Sequence, residues 1–378
     1  GSWDFPFVNT EKAATARLFL FNPYPVAVSV DVTLSTADYV RVPAELSGES
    51  VPAGGVKVIN LNERAPRRDR LSVSVRTRSG LLIAEVVQTF SQANLEFNLK
   101  SGEGGDGKVD KEEIGKQPVK RQGVALVSGS PEPTRQAAFV DGFSQGGVIE
   151  QYVVLNPSKG NADVQPIWIT QFGQPRGDIE PLAKVIPPGR AETIRIDNDQ
   201  RLPAEGFHHG LVVSDTGVAS ARVLVSVAKR GDTKTSGQQV RPAPATGVSI
   251  SPALPLAADR WWSGGLRLTG QDEGWLLVDN PSPTESTSIK LLVHGGGKVT
   301  EAKGFEDLTV KPSDQLAVNL RQLKLPNLAM VELRSSAPVQ VEQRLVDATA
   351  GDYSSGPAVP DAATVISLSL SDSGDAAG

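Results

Sequence analysis

The sequence contains no cysteine, which excludes disulfides, thiolate nucleophiles and cysteine-ligated zinc. It does not place the protein in the cytosol, because many exported bacterial proteins also avoid cysteine. Only three histidines, one methionine and 5% aromatic residues are present, so general acid–base work would fall to carboxylates, and these are scattered. No apolar run approaches the roughly 20 residues of a membrane span. No basic excess exists either: the formal net charge is −5, which argues against a nucleic-acid or anionic-membrane partner. No signal peptide is visible. Gly1-Ser2 reads as a tag-cleavage scar, so an export signal or membrane anchor is expected ahead of residue 1.

Gly 37 and Pro 27 favour a fold with many turns, and therefore strands over helices. A hydrophobic share of 39% against 21% charged residues is that of a globular chain. An apolar run into Asn-Pro recurs at Asn22, Asn156 and Asn280. After each comes a proline-led strand entry, at Pro52, Pro187 and Pro312. Next stands a paired-strand pattern with a tight small-residue turn, over 71–90, 210–227 and 329–346. Before each Asn-Pro stands an aromatic landmark: Trp3, Phe139 and Trp262. Four features in register three times indicate a triplication.

The repeat predicts domains over 1–132, 133–257 and 258–378, each closed by a late strand. The third closing strand is expected in "ATVISLSLSDS" (363–373). Polar, Gly/Ser/Pro-rich segments at 101–121, 229–245 and 348–362 are expected to be mobile loops within these domains. Val26, Val28, Val30 and Val32 alternate with Ser29, Asp31 and Thr33, the period of a half-buried antiparallel strand. The expected fold is all-β: three tandem immunoglobulin-like antiparallel β-sandwich domains. Asn-Pro itself is a turn device. Proline removes a ladder donor, and asparagine folds its side chain onto the backbone two residues on.

The aromatic landmark, the apolar run into Asn-Pro, the "VPAG"-type strand entry and the "SG" hairpin together resemble the immunoglobulin-like modules of bacterial surface proteins. More narrowly, they resemble an actinobacterial extracytoplasmic family known only as a domain of unknown function, whose members carry a similar tandem pattern behind a signal or anchor. The resemblance covers nearly the whole chain. It implies export and a cell-envelope role, and it brings no catalytic residue with it.

Several short motifs suggest chemistry. "GFSQG" (142–146) matches G-x-S-x-G with Ser144 as nucleophile, but a strand follows where the motif needs a helix. "GEGGDGKV" (102–109) puts Val109 where a P-loop needs Ser or Thr. Asp106, Gly107, Asp110 and Glu113 mimic the back half of an EF-hand, with Gly102 and Gly104 at early ligand positions. His208-His209, with Asp197 or Asp199, would need convergent ligands, and strand neighbours point apart. His294 stands apart from them. No metal site or cofactor is expected. Trp168 and Trp275 read as core, whereas Trp261 is the candidate for stacking on a sugar. Arg64, Arg67, Arg68 and Arg70 crowd one loop beside Glu63 and Asp69, a candidate contact for carboxylate or phosphate. The expected function is a non-enzymatic, extracytoplasmic interaction or scaffold protein. Its partner would be an envelope protein or an anionic or glycan cell-wall polymer. The alternative is a glycan-binding module.

Overall fold

The computed structural model describes residues 1–95, 119–144, 148–170, 183–196, 202, 206–226, 247–254, 256–266, 268, 270, 272–326, 328–347, 352–361 and 365–367. Among them the chain is all-β. One four-residue α-helix, Leu61–Arg64, and 3-10 turns at Ala44–Leu46 and Leu320–Leu323 are the helical elements.

The strands follow one plan three times. An opening strand (Ser2–Val8, Thr134–Ser144, Leu256–Leu266) leads to an Asn-Pro strand (Ala14–Phe21, Val148–Leu155, Glu273–Asp279). A third strand follows (Val28–Ser35, Ala162–Thr170, Thr287–Gly295), then a proline-entry strand (Val56–Asn60, Ala191–Arg195, Gln315–Asn319). In each copy the opening and third strands pair with the first half of the next long segment, forming an opening sheet. The proline-entry strand pairs with the Asn-Pro strand, which pairs with the second half of the long segment, and that half pairs with a final strand, forming a closing sheet. Inner-face residues of both sheets share one core. In sandwich 1, Leu18 and Leu20 from one sheet meet Val30, Val32, Val73 and Val75 from the other. Alternation therefore does what it implied at Val28, Val30 and Val32, all buried. Val26 is exposed and lies before the strand.

Each Asn-Pro asparagine is fully buried and acts as a staple. Its Oδ1 accepts the N–H two residues on, from Tyr24, Ser158 and Ser282, at 3.0, 3.0 and 3.1 Å. Its Nδ2 reaches the carbonyl of Val51, Ile186 or Val310 at the proline-led entry, at 3.2, 2.8 and 3.2 Å. The two sequence landmarks are thus bonded to each other in all three copies. That excludes a ligand-facing role for these side chains.

Three expectations need correction. The paired-strand segments are not hairpins. Leu71–Ser79 and Ile83–Leu95 lie in different sheets, while Gly206–Ser226 and Ala329–Asp347 are single strands whose halves serve the two sheets. The small residues mark the corner where the chain changes sheet, and at the first corner Gly80 takes φ +73°. Second, the closing strand of sandwich 3 is Asp352–Pro357, inside the segment expected to be a loop. It pairs with Glu342–Asp347 and buries Tyr353. Within the expected strand, Val365–Ser367 pairs instead with the start of the opening strand. The expected loop 229–245 lies outside the described residues, as does 101–118; 119–121 belong to the strand Val119–Ser128. Third, the buried aromatic shared by the copies is Phe5, Phe139 and Trp261. The preceding residues Asp4, Ala138 and Arg260 each bond backbone to backbone with the closing segment.

Candidate functional site

Because strand register is shared, each outward position on the closing sheet can be followed through all three copies. In sandwich 2 this face carries Leu155, Val153, Val223, Val225 and Ile250, all buried. Val153, Val223, Val225 and Ile250 join the core cluster of sandwich 1. Polar contacts seal that junction: Ser35 Oγ donates to Gly189 O at 2.6 Å, and Arg190 Nη1 donates to Thr36 O at 2.6 Å.

In sandwich 3 the same face carries Asp279, Leu277, Gln340, Glu342 and Arg344, also buried, against the opening sheet of sandwich 2. Arg344 grips Asp141 with both Nε (2.9 Å) and Nη2. Tyr353 Oη donates to the same carboxylate at 2.9 Å. Glu342 accepts from Arg222 Nη2 at 2.9 Å and from the Asp141 N–H at 3.0 Å. His209 bonds Asp279. Burial opposes ionisation of Asp141, but Arg344 and Arg222 outweigh it and hold the carboxyl below its ordinary value. At Glu342 burial wins over Arg222, with Asp141 adding to it, and the carboxyl is pushed up.

In sandwich 1 nothing covers this face among the described residues. Leu126 is 61% exposed, whereas Ile250 and Ser355, at matching positions, are 4 and 7% exposed; Val58 is 48% exposed where sandwich 3 has Ala317 at 5%. Phe21, Val56, Ile83 and Val124 are exposed beside them. The pairings Phe21 with Val56 and Ile83, and Val87 with Leu126, make this one continuous patch. Isolated surface hydrophobes need no explanation, but a contiguous apolar patch marks an interaction surface. Half-buried Glu85 stands within it, in the register of Glu342.

Among the described residues, nothing covers the outer face of the opening sheet in sandwich 3. Arg260 Nε and Arg334 Nε both donate to Glu332 Oε1 at 2.6 Å, and His294 Nε2 lies 2.7 Å from Glu332 Oε2. Burial works against the Glu332 charge, and the donors from Arg334, His294 and Arg260 hold its carboxyl below the ordinary range. Trp262, part-exposed, has the Arg260 guanidinium 5.2 Å from its ring centre and His294 against its edge.

The residues singled out by sequence divide sharply. Trp261 is 1% exposed, with Nε1 donating to Ala258 O and Val339 O at 3.0 Å each. It is core, and no sugar reaches it; sequence reasoning chose the wrong partner of the Trp-Trp pair. Trp168 and Trp275 are buried. The arginine loop follows the helix Leu61–Arg64, capped by Asn60 and tied to the neighbouring strand by Asn62 Nδ2 to Ala14 O at 2.8 Å. Arg68 pairs with Asp38 at 2.9 Å and Arg64 with Glu45 at 3.4 Å. Arg70 meets Asp69 at 3.6 Å and Thr193 of sandwich 2 at 3.4 Å. Arg67 is exposed, with φ +58°. Three of the four charges are therefore answered from within, two of them by acids distant in sequence.

Ser144 ends its strand with Oγ 3.4 Å from His208 Nδ1, and His208 Nε2 lies 3.2 Å from Glu150 Oε2. This grouping was not visible in the sequence, because Glu150 carries no motif. The next strand begins at Val148, so Ser144 does not stand before a helix as the hydrolase motif requires. His208 and His209 point apart, one to Glu150 and the other to Asp279. The P-loop-like and EF-hand-like stretches, with Asp197 and Asp199, lie outside the described residues.

The family match falls on the sandwich with the open patch. Residues 2–98 match a family of unknown function, DUF5719. No curated protein matches the chain. A solved structure titled Thermotoga maritima 1070 is similar at 14% identity over 32% of this chain and 93% of its own, with a TM-score of 0.22. At that score the likeness carries no argument.

Proposed function

We propose that this chain is a non-enzymatic interaction or scaffold protein of the cell envelope, built from three immunoglobulin-like modules and working outside the cytoplasm. One observation carries the reading: the closing-sheet face of sandwich 1 is apolar and open where both counterparts are covered. Burying one large aliphatic or aromatic side chain contributes about 1.5–3 kcal/mol, so a protein partner seated there gains from several at once. Arg67 and the outer side of Arg70 offer an accessory contact for an anionic polymer. The glycan-binding alternative loses its chosen residue, since Trp261 is core.

Retention of proteins from an envelope extract tests the reading. Wild-type protein is expected to hold a partner that Val58→Asp/Leu126→Asp releases, with both proteins melting alike. Equal retention by the two would overturn it. A hydrolytic reading is favoured only by the Ser144–His208–Glu150 alignment. A fluorophosphonate probe that labels wild type but not Ser144→Ala would establish it, and the interaction reading expects no labelling.

A further inference from the structure

We propose that the partner of the open face is a second copy of this chain, bound head to tail through the outer face of its sandwich 3. This rests on the interaction reading above and names its occupant.

The argument comes from the two junctions inside the chain. Each is the same contact: the opening sheet of one sandwich lies against the closing sheet of the next. The contact is made twice and then stops, which leaves one half unused at each end. Among the described residues, sandwich 1 keeps an open closing-sheet face and sandwich 3 an open opening-sheet face. A surface that has already met its own complement twice within one chain fits the same complement from another molecule.

The register gives the contact in detail. Backbone bonding to the closing segment aligns Arg260 with Ala138 and Asp4, so Trp262 stands where sandwich 2 has Val140. In the junction between sandwiches 2 and 3, Val140 O accepts from Gln315 Nε2 at 2.8 Å. Gln315 pairs with the residue before Asn280, as Val56 pairs with the residue before Asn22. The same step therefore sets Trp262 over Val56 and Phe21. Charge agrees with it. The sandwich 3 face presents Arg260, Arg334 and Lys290, with side chains 35, 52 and 53% exposed. The sandwich 1 face presents half-buried Glu85 within its apolar patch.

A polar sheet on an apolar one has a precedent here. Asp4, Ser72 and Ser35 of sandwich 1 are buried in the junction region where sandwich 2 supplies Val153 and Val223. Such a contact is heterologous, so it generates a ring if the rotation closes and a filament if it does not.

Sedimentation velocity of the purified full chain over a concentration series is the test. The wild type is expected to gain mass with concentration. Val58→Asp/Leu126→Asp blocks one end and Trp262→Ser/Lys290→Glu the other; each alone should remain monomeric, with an unchanged melting curve. Mixed, they should form a dimer and nothing larger, because each supplies the face that the other lacks. A wild type that stays monomeric at every concentration overturns the proposal but leaves the extract experiment, and the interaction reading, standing. Self-association removed by the sandwich 1 variant but not by the sandwich 3 variant would mean that two apolar faces pair with each other, and that also overturns it. If either variant melts early, Glu85→Arg and Arg334→Gln replace the pairs with the same expected outcome.

Discussion

The closing-sheet faces of sandwiches 1 and 3 invert the usual relation of polarity and exposure. Sandwich 3 carries Asp279, Glu342 and Arg344 there and buries them. Sandwich 1 carries Phe21 in the register of Asp279 and Leu126 in that of the buried Ser355, and leaves both in solvent, with Val58 exposed beside them. Charge at a junction is costly to desolvate, and it contributes less to affinity than to fixing register and partner. An apolar face binds strongly but with little direction. The internal junction between sandwiches 2 and 3 is therefore the specific, permanent one, and the open face is the one suited to exchange.

The comparison can be broken hardest at Arg344. Arg344→Ala leaves Asp141 buried without its bidentate partner, and the expected cost is about 3–5 kcal/mol. Chemical denaturation measures it. The double change Asp141→Asn/Arg344→Met should recover most of that loss; no recovery would mean that the cost is lost packing rather than an orphaned charge.

The staples come next. Asn280→Ala orphans the carbonyls of Val310, Lys311 and Glu285, for about 1–3 kcal/mol. Asn22→Ala and Asn156→Ala should cost similar amounts, read from the same denaturation curves. A much smaller effect at Asn22 would show that sandwich 1 tolerates what the other two do not.

Acid titrates the charged junction unevenly. Asp141 has a depressed folded-state pKa, so its contribution is complete above the ordinary value of 3.8 and is lost as pH falls below it. Glu342, raised from 4.5, acts in the opposite sense: its penalty is relieved on protonation as pH falls into that range. Thermal melts followed from neutral pH downward should change little, or gain slightly, before falling below pH 3.8. A steep loss well above that value would place the sensitive group elsewhere.

The smallest effect is expected at the arginine loop. Arg64→Ser/Arg67→Ser/Arg68→Ser removes exposed or half-exposed pairs and should stay within about 1 kcal/mol of wild type per pair lost. Salt-sensitive binding to an anionic polymer is the second readout. Unchanged binding at low salt would make the loop a set of internal ion pairs and nothing more.

Much of the sandwich was legible in the sequence, because alternation such as Val28, Val30, Val32 and the repeated Asn-Pro are local signals. The sheet-changing corners were not. A tight small-residue turn between two apolar runs reads as a hairpin unless the pairing partners are known. The junctions left a weak trace. Tyr152–Leu155 and Leu276–Val278 run apolar without alternation, the mark of a strand covered on both faces, whereas Arg17 interrupts the outward row in sandwich 1. The charged junction left no trace, since Asp141 and Arg344 are far apart in the chain and each alone looks like surface. The arginine loop misled for the same reason, because Asp38 and Glu45 approach it only on folding.

The corners also bear on how load would travel. In sandwiches 2 and 3 one unbroken strand, of 21 and 19 residues, runs through both sheets, the longer spanning ~70 Å at roughly 3.3 Å per residue. Tension entering one sheet leaves by the other along covalent backbone. In sandwich 1 the strand, though not the backbone, is interrupted between Ser79 and Ile83, where Gly80 turns the chain. A force ramp applied across the whole molecule is accordingly expected to open sandwich 1 first. The same copy that leaves its apolar face open would then be the compliant one, and stretching would disturb that face before it harmed the other two.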